Sequence, residues 1–411
     1  MTRLTARGLI QAGLISAGLA AGAATGAHAQ AEDVTIGAIG PLTGPAANSG
    51  EAHRQGLELA VKEWNEGQGD YATENRFQVN FVMEDSNSKP EVGISAAQRL
   101  ITRNSADLII GDTLHSHVTL ALMEMAPQYN VPILSSEPVS SVIADKVLSD
   151  PERFKLYWKG NWNSDGYGIA VHDFYAWAFE NGVVPEGDKK IAFVVEDTDY
   201  GIANAEKIGE LFEGDGWTVV ATETVPTATT DFYPQLSKLR DLDPDVLVSV
   251  FTVVPSGVSF VRQLGEQALE ASHLAIYYPT KPEFMEQAAD IAEGMYWASL
   301  QFSPEITPAH KEFSDRMEAA FGVPANYSHA HAYCTMVIAL RAIDEAGGTD
   351  PEAVAEKLGA TDYECLLGRF QFGDDHAIQS GPDFIPVPVA QIQEGQNQLI
   401  WPENVATSEP Q

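Results

Sequence analysis

From Val34 onward, short apolar runs alternate with longer stretches in which apolar residues recur every three or four positions. "VTIGAIG" (34–40) reads as a strand. "EAHRQGLELAVKEWNEG" (51–67) reads as a helix, with Leu57, Ala60, Val61 and Trp64 on one face. "FQVNFVMED" (77–85) alternates as a half-exposed strand does, "EVGISAAQRLITRN" (91–104) is helical, and "ADLIIGD" is a strand again. A helix around 117–129 and the strand "VPILSS" complete this run, with Pro132 standing where the helix has already ended.

A second run repeats the scheme. "GYGIAVHDFYAWAFENG" is a helix, "KKIAFVVED" a strand, "YGIANAEKIGELFEGDG" a helix and "WTVVATETV" a strand. "TTDFYPQLSKLRDLDP" includes a helix, and "DVLVSVFT", "PSGVSFVRQLGEQAL" and "HLAIYYP" continue as strand, helix and strand. The central strands are continuous apolar runs, the signature of strands covered on both faces of a parallel sheet. Two successive βα runs predict an α/β protein of two doubly wound, Rossmann-like lobes. The strand "EGMYWASLQF" leaves the second run. A helix near 309–321, the long helix "HAHAYCTMVIALRAIDEAGG", a short helix near 351–358 and the strands "GRFQFG" and "PVPVAQI" follow. They are expected to return and cap both lobes, so that several chain crossings form the hinge.

The N-terminus modifies this picture because it is expected to be removed. Arg3 and Arg7 precede the uncharged "GLIQAGLISAGLAAGAATG", and Ala27-His28-Ala29 has the small-x-small form of a cleavage site. Residues 1–29 therefore read as a secretory signal peptide. No later stretch reaches the roughly 18 apolar residues of a membrane span, so an exported, soluble product in a Gram-negative periplasm is expected. No Cys near the cleavage site suggests lipid attachment. Cys334 and Cys365 are the only cysteines. The oxidising compartment favours a Cys334–Cys365 disulfide, with two buried thiols as the alternative.

The chain carries 24 Lys+Arg against 58 Asp+Glu, a formal charge of −34. Loss of Arg3 and Arg7 leaves 22 basic residues against the same 58 acids, or −36. Such a surface repels nucleic acid and anionic lipid. About 380 mature residues suit two domains, and a 44% hydrophobic content supplies their cores.

Three kinds of chemistry are open to the strand tips. His115 with His117, and His329 with His331, are His-x-His pairs. On an extended segment they point the same way and can share a zinc, but on a helix they diverge by roughly 200°. Both pairs stand near predicted helix starts, which favours cleft-lining or solvated histidines and no metal. No Gly-x-Ser-x-Gly elbow, Walker loop or His-Glu-x-x-His helix is present. "IGAIGPLTG" misses the dinucleotide spacing, and no cofactor is expected. The acid pairs Glu84-Asp85 and Glu196-Asp197 end strands, where capping or solvation is the commoner role. Holding a ligand is the third option. In open α/β sheets ligands lie beyond the carboxyl ends of strands, and here those ends read "GDTLHS", "SSEPVSS", "EDTDYG", "FTVVPSG" and "YYPTKP". Their hydroxyls suit a carboxylate, the acids from Glu196 to Asp199 suit an ammonium, and Trp158, Trp162, Tyr167 and Tyr200 can wall in an apolar part.

Several ordered segments resemble the periplasmic leucine/isoleucine/valine-binding protein family. They are "VTIGAIGPLTGPAANSGEAHRQGLELAVKEWNEGQG", "VMEDSNSKPEVGISAAQRLI", "IIGDTLHSHVTLALMEMAPQYNVPILSSEPVSS", "VVEDTDYGIANAEKI", "AEGMY" and "AYCTMVIALRAIDEAGGTDPEAVAEKL". The resemblance spans nearly the whole mature chain. It implies the type I periplasmic binding protein fold and a component of an ABC importer, whose cleft closes on a small solute and presents it to membrane permease subunits. By position it implies that Thr113, Leu114 and His115 meet the ligand carboxylate, that Pro138 and Ser140 meet an ammonium, and that Tyr200 supplies the aromatic wall. Three family positions depart: Ser49 precedes the opening Gly, Val253 stands where an aromatic is expected, and the ammonium-gripping acid maps to Thr280, beside Lys281. A lysine there suits an anionic ligand, and "YWKGNW" suits a ring.

These readings converge on an exported, leucine-binding-protein-like solute carrier for an amino acid, amide or organic acid, monomeric and without chemistry of its own. The residues expected at the ligand are Thr113, Leu114, His115, Ser136 and Pro138 from one lobe. Ser140, Trp158, Tyr200, Val253 and Thr280 complete the set. The expected lobes are 32–157 with 300–367, and 158–299 with 368–405. A periplasmic sensor feeding a membrane receptor is the alternative within the same class. An exported α/β hydrolase is the alternative outside it.

Overall fold

The computed structural model describes residues 32–68, 77–267, 269–403 and 405–411; the expected signal peptide, 1–29, lies outside them. Five strands form the first sheet: β1 (Glu32–Gly40), β2 (Phe77–Asp85), β3 (Leu108–Ile110), β4 (Ile133–Ser135) and β5 (Tyr157–Lys159). All pair in parallel, in the order β2-β1-β3-β4-β5. The edge strand β2 begins with alternate buried and exposed residues, whereas β3, β4 and β5 are buried throughout. β5 escaped the sequence reading because three residues are too few to show a period, and it carries the first sheet two residues past position 157.

The second sheet holds β6 (Lys190–Glu196), β7 (Thr218–Val225), β8 (Val246–Phe251), β9 (Ser272–Tyr277) and β10 (Tyr296–Ala298). A small hairpin, β11 (Asp362–Cys365) with β12 (Gly368–Gln371), follows. Then β13 (Val389–Gln393) and β14 (Gln396–Trp401) return to the second sheet, whose order is β14-β13-β10-β9-β8-β6-β7. β13 pairs antiparallel to β10, and β6 to β10 are parallel. All six residues of β8 are buried, matching its unbroken apolar run.

Leu57, Ala60, Val61 and Trp64, the predicted stripe, are buried on helix Ala47–Asn65. That helix packs on the long helix Tyr327–Ala346. The approach is close: a Cβ on Gly56 would lie 2.4 Å from the His329 carbonyl oxygen. The helix expected at 117–129 is instead two, Ser116–Leu122 and Met125–Tyr129. Pro127 is the physical reason, since it offers no N–H to the Met123 carbonyl and its ring crowds that group.

The fold is α/β with two lobes, as the strand pattern predicted. The chain passes between the sheets after β5, after β10 and before β13. The last of these segments runs beside the first: Lys159 N–H donates to the His376 carbonyl at 2.8 Å, and Ile378 N–H to the Lys159 carbonyl at 3.2 Å. Cys334 and Cys365 are joined as a disulfide, tying the long helix to β11. Among the described residues no helix is long and apolar enough to cross a membrane.

Candidate functional site

The carboxyl ends of β3, β4, β6, β8 and β9 converge on one hollow between the lobes. After β3, Asp112 folds its carboxylate back to accept N–H groups from Leu114 (2.7 Å) and His115 (2.8 Å). Burial opposes ionisation of Asp112, but His115 and these N–H groups hold its carboxyl below the usual range. This turn sets Leu114, His115, Ser116 and His117 on the wall. Among the described residues neither ring nitrogen of His115 closes a hydrogen bond, although its Nδ1 lies 3.6 Å from Asp112 Oδ1 and the residue is 4% exposed. His117 Nε2 donates to the Ser88 carbonyl at 3.1 Å.

After β4, Glu137 and Val139 face the hollow. Glu137 is nearly inaccessible, and its carboxylate has close neighbours, although Oε1 closes no well-formed hydrogen bond among the described residues. His53 Nε2 lies 2.8 Å from Oε1, the Tyr277 hydroxyl donates to Oε2, and Lys281 Nζ stands 3.8 Å from Oε2. Burial pushes this carboxyl up, but Lys281 and His53 prevail and hold it well below the ordinary range. Burial pushes Lys281 down, with Glu137 opposing. The lysine ammonium also donates to Ser328 Oγ at 2.5 Å and sits 4.4 Å from the Tyr277 ring centroid. Asn161 donates to the Glu137 carbonyl at 2.9 Å.

From the second lobe, Thr198 caps helix Asp199–Gly214 by accepting from Gly201 N–H at 3.1 Å, which places Tyr200 on the wall. Gly201 is required here: a Cβ would lie 2.1 Å from the Glu196 carbonyl oxygen. The Tyr200 hydroxyl lies near Tyr167 but closes no well-formed hydrogen bond. Thr252 Oγ1 donates to Glu196 Oε2 at 2.5 Å, leaving Oε1 without a partner, and burial raises the Glu196 carboxyl toward its neutral form. Tyr167, Tyr277 and Tyr327 complete an aromatic lining, with Trp162 packed behind Tyr167 at 4.4 Å. The hollow holds about 440 Å³ of non-atom space, counting what is open to solvent.

Of the ten expected ligand residues, Leu114, His115 and Tyr200 line the hollow. Thr113 is buried one position off the wall, its N–H stitching β3 to Ile39 of β1. Pro138 stands between two lining residues. Ser140 is buried off the wall, its hydroxyl reaching across to the Asp199 carbonyl at 3.4 Å. Val253 is buried beside the lining Thr252 and begins helix Val254–Glu266. Three residues are not brought to the hollow. Ser136 turns to His331 and Thr335 on the long helix, both at 3.1 Å. Trp158 stacks on His376 at 3.9 Å, drawn into the apolar contact with the crossing segment. Thr280 borders a separate outer hollow.

The sequence reading missed Glu137, Asn161, Tyr277 and Tyr327 as individual wall residues. Glu137 and Tyr277 lay within strand ends already singled out. Tyr327 carried no local signal, because only the return of the long helix brings it there. His329 and His331 diverge, the first to Gln55 (3.0 Å) and the second to Ser136. Among the described residues no three His, Cys, Asp or Glu side chains are grouped to hold a metal.

The sequence model of a family described as "Periplasmic binding protein" matches residues 33–396. The chain is 25% identical over 399 residues to Leu/Ile/Val-binding protein homolog 7 of Brucella suis biovar 1, covering 93% of this chain and 95% of the relative. Its structure resembles a putative branched-chain amino acid ABC transporter protein from Silicibacter pomeroyi, with TM-score 0.79, 24% identity and coverage of 92% and 99%. It also resembles an ABC transporter solute binding protein from R. palustris in complex with benzoate, with TM-score 0.75, 18% identity and coverage of 90% and 95%.

Proposed function

The chain belongs to the periplasmic binding protein family, and from that premise we propose that its cleft captures a small carboxylate-bearing solute for delivery to the permease of an ABC importer. The observation that carries this reading is the hollow between the lobes, with two buried side chains from opposite lobes, His115 and Tyr200, left without hydrogen-bond partners among the described residues. A buried polar group without a partner is costly, and a solute carboxylate relieves both at once. Closing the lobes around it excludes water and strengthens these contacts, and the permease reads the closed form.

The protein works by holding, with no reaction of its own. Its buried hydroxyl–imidazole pairs, Ser136 with His331 and Ser249 with His273, stand off the hollow wall. Burial lowers those imidazoles to about 4 and about 3, which makes them poor bases at neutral pH. The mature chain begins after Ala29, works as a soluble monomer in the periplasm and has no nucleic-acid partner, in keeping with its acidic composition.

Thermal shift against small amino acids and organic acids tests the reading. A solute at 100 times its dissociation constant should add about 2.7 kcal/mol. His115→Ala should then weaken that solute at least tenfold in calorimetry, about 1.4 kcal/mol. If no carboxylate stabilises the protein, or if a bound one is turned over, the reading is wrong.

A further inference from the structure

Resting on the capture of a carboxylate in this cleft, we propose that Lys281 sets the class of solute: it serves Glu137 as an internal ammonium, so the solute carries a carboxylate and no ammonium of its own. Among the described residues, Glu137 is the one acid on the wall of the hollow. An α-amino acid would need such an anion for its ammonium, and this one is already engaged by Tyr277 and Lys281 at Oε2, with His53 close to Oε1 but closing no hydrogen bond to it. His53 stands 2.8 Å from Oε1, while Tyr277 and Lys281 serve Oε2.

The lysine is held in place by its own neighbours. Its Nζ donates to Ser328 Oγ at 2.5 Å and lies over the Tyr277 ring, and the residue is 3% exposed. Lys281 comes from the second lobe, just past β9, whereas Glu137, His53 and Ser328 belong to elements of the first. Closing the lobes therefore completes the ion pair. An incoming ammonium would have to displace a tethered competitor and leave it buried without its anion, or stand beside it as a like charge in a medium that screens poorly.

The groups without partners point the same way. The His115 ring and the Tyr200 hydroxyl are donors suited to an anion. Glu196, a further carboxyl with a free oxygen, lies off the wall behind Thr252 and is pushed by burial toward its neutral form. Four tyrosines with Leu114 and Val139 then accept the uncharged body of the solute.

Matched pairs that differ only in the amino group provide the test: leucine with isocaproate, valine with isovalerate, phenylalanine with hydrocinnamate. Each is titrated into the mature protein by thermal shift and then calorimetry. The des-amino member of any pair that binds should bind at least tenfold more tightly. In Lys281→Met the anion is released, and the preference should move at least tenfold toward the amino acid. In the double variant Glu137→Gln/Lys281→Met no anion is released, and that movement should be absent. Tighter binding of the amino acids by the unmodified protein overturns the inference and leaves solute capture standing, as does an unchanged preference in Lys281→Met. If Lys281→Met does not fold, the unmodified protein and the double variant still decide. Binding of neither member of any pair overturns the capture reading itself.

Discussion

Replacing Tyr200 by Phe removes one oxygen atom and leaves the ring in place. The residue is 9% exposed, and its ring lies 6.4 Å from that of Tyr277, so packing survives the change. Its hydroxyl closes no well-formed hydrogen bond among the described residues. A hydrogen bond to a charged acceptor contributes about 1.5–3 kcal/mol, whereas a buried hydroxyl without a partner costs about 1–3 kcal/mol. The two effects act on different states. Loss of the bond to a bound carboxylate should weaken binding about ten- to hundredfold, at about 1.4 kcal/mol per decade. The ligand-free protein should lose nothing, and its closed form should gain, because an unsatisfied group has been deleted. Calorimetric titration with a solute identified by thermal shift measures the first effect, and scanning calorimetry without solute measures the second. A lower melting temperature with unchanged affinity would refute the reasoning: it would mean that Tyr167 or another internal group satisfies the hydroxyl and that the solute never touches it.

Three further outcomes follow from the same structure. Stability should fall as pH drops from 6.5: burial holds the His331 imidazole at about 4 and those of His273 and His329 at about 3, so the unfolded chain binds more protons in that window. Glu137, whose carboxyl is held below its ordinary 4.5, adds a loss in the same direction below that pH, and a melting temperature that stays flat from pH 7 to 4 would contradict both contributions. Reducing the Cys334–Cys365 bridge, which closes a separation of 31 residues, should destabilise the protein by about 3–4 kcal/mol on the chain-entropy account, and thermal unfolding with and without a reductant reads it. Gly201→Ala should cost about 1–3 kcal/mol by overpacking against Glu196 and should also weaken binding by displacing Tyr200; normal affinity and normal stability together would rule out the close approach.

Local patterns carried the fold. The apolar runs of β6, β8 and β9 and the three- to four-residue spacing of the helices are written in neighbouring residues, because side-chain direction repeats every two residues in a strand and every 3.6 in a helix. The same locality exposed the strand tips as the place to look, since the carboxyl ends of parallel strands all leave one edge of their sheet. Where a residue's direction is set by its own turn, the reading reached the wall: Asp112 orients His115, and the cap at Thr198 orients Tyr200. Short elements such as β5, and the break that Pro127 makes, fell below the resolution of periodicity.

The chain's own order of apolar and polar residues thus determined two α/β lobes, the edges that face a ligand and the hydroxyl and aromatic residues on them. Only the tertiary structure decided which of those residues meet. Ser136 turns away because the long helix from Tyr327 to Ala346 lands beside it and offers His331 and Thr335, while the first residue of that helix becomes a wall of the cleft. Glu137 and Lys281 are 144 positions apart, and nothing near either one announces the other. Their pairing depends on two sheets closing face to face, and electrostatic and packing partners are set by distance in space, which a pattern of neighbours along the chain does not contain.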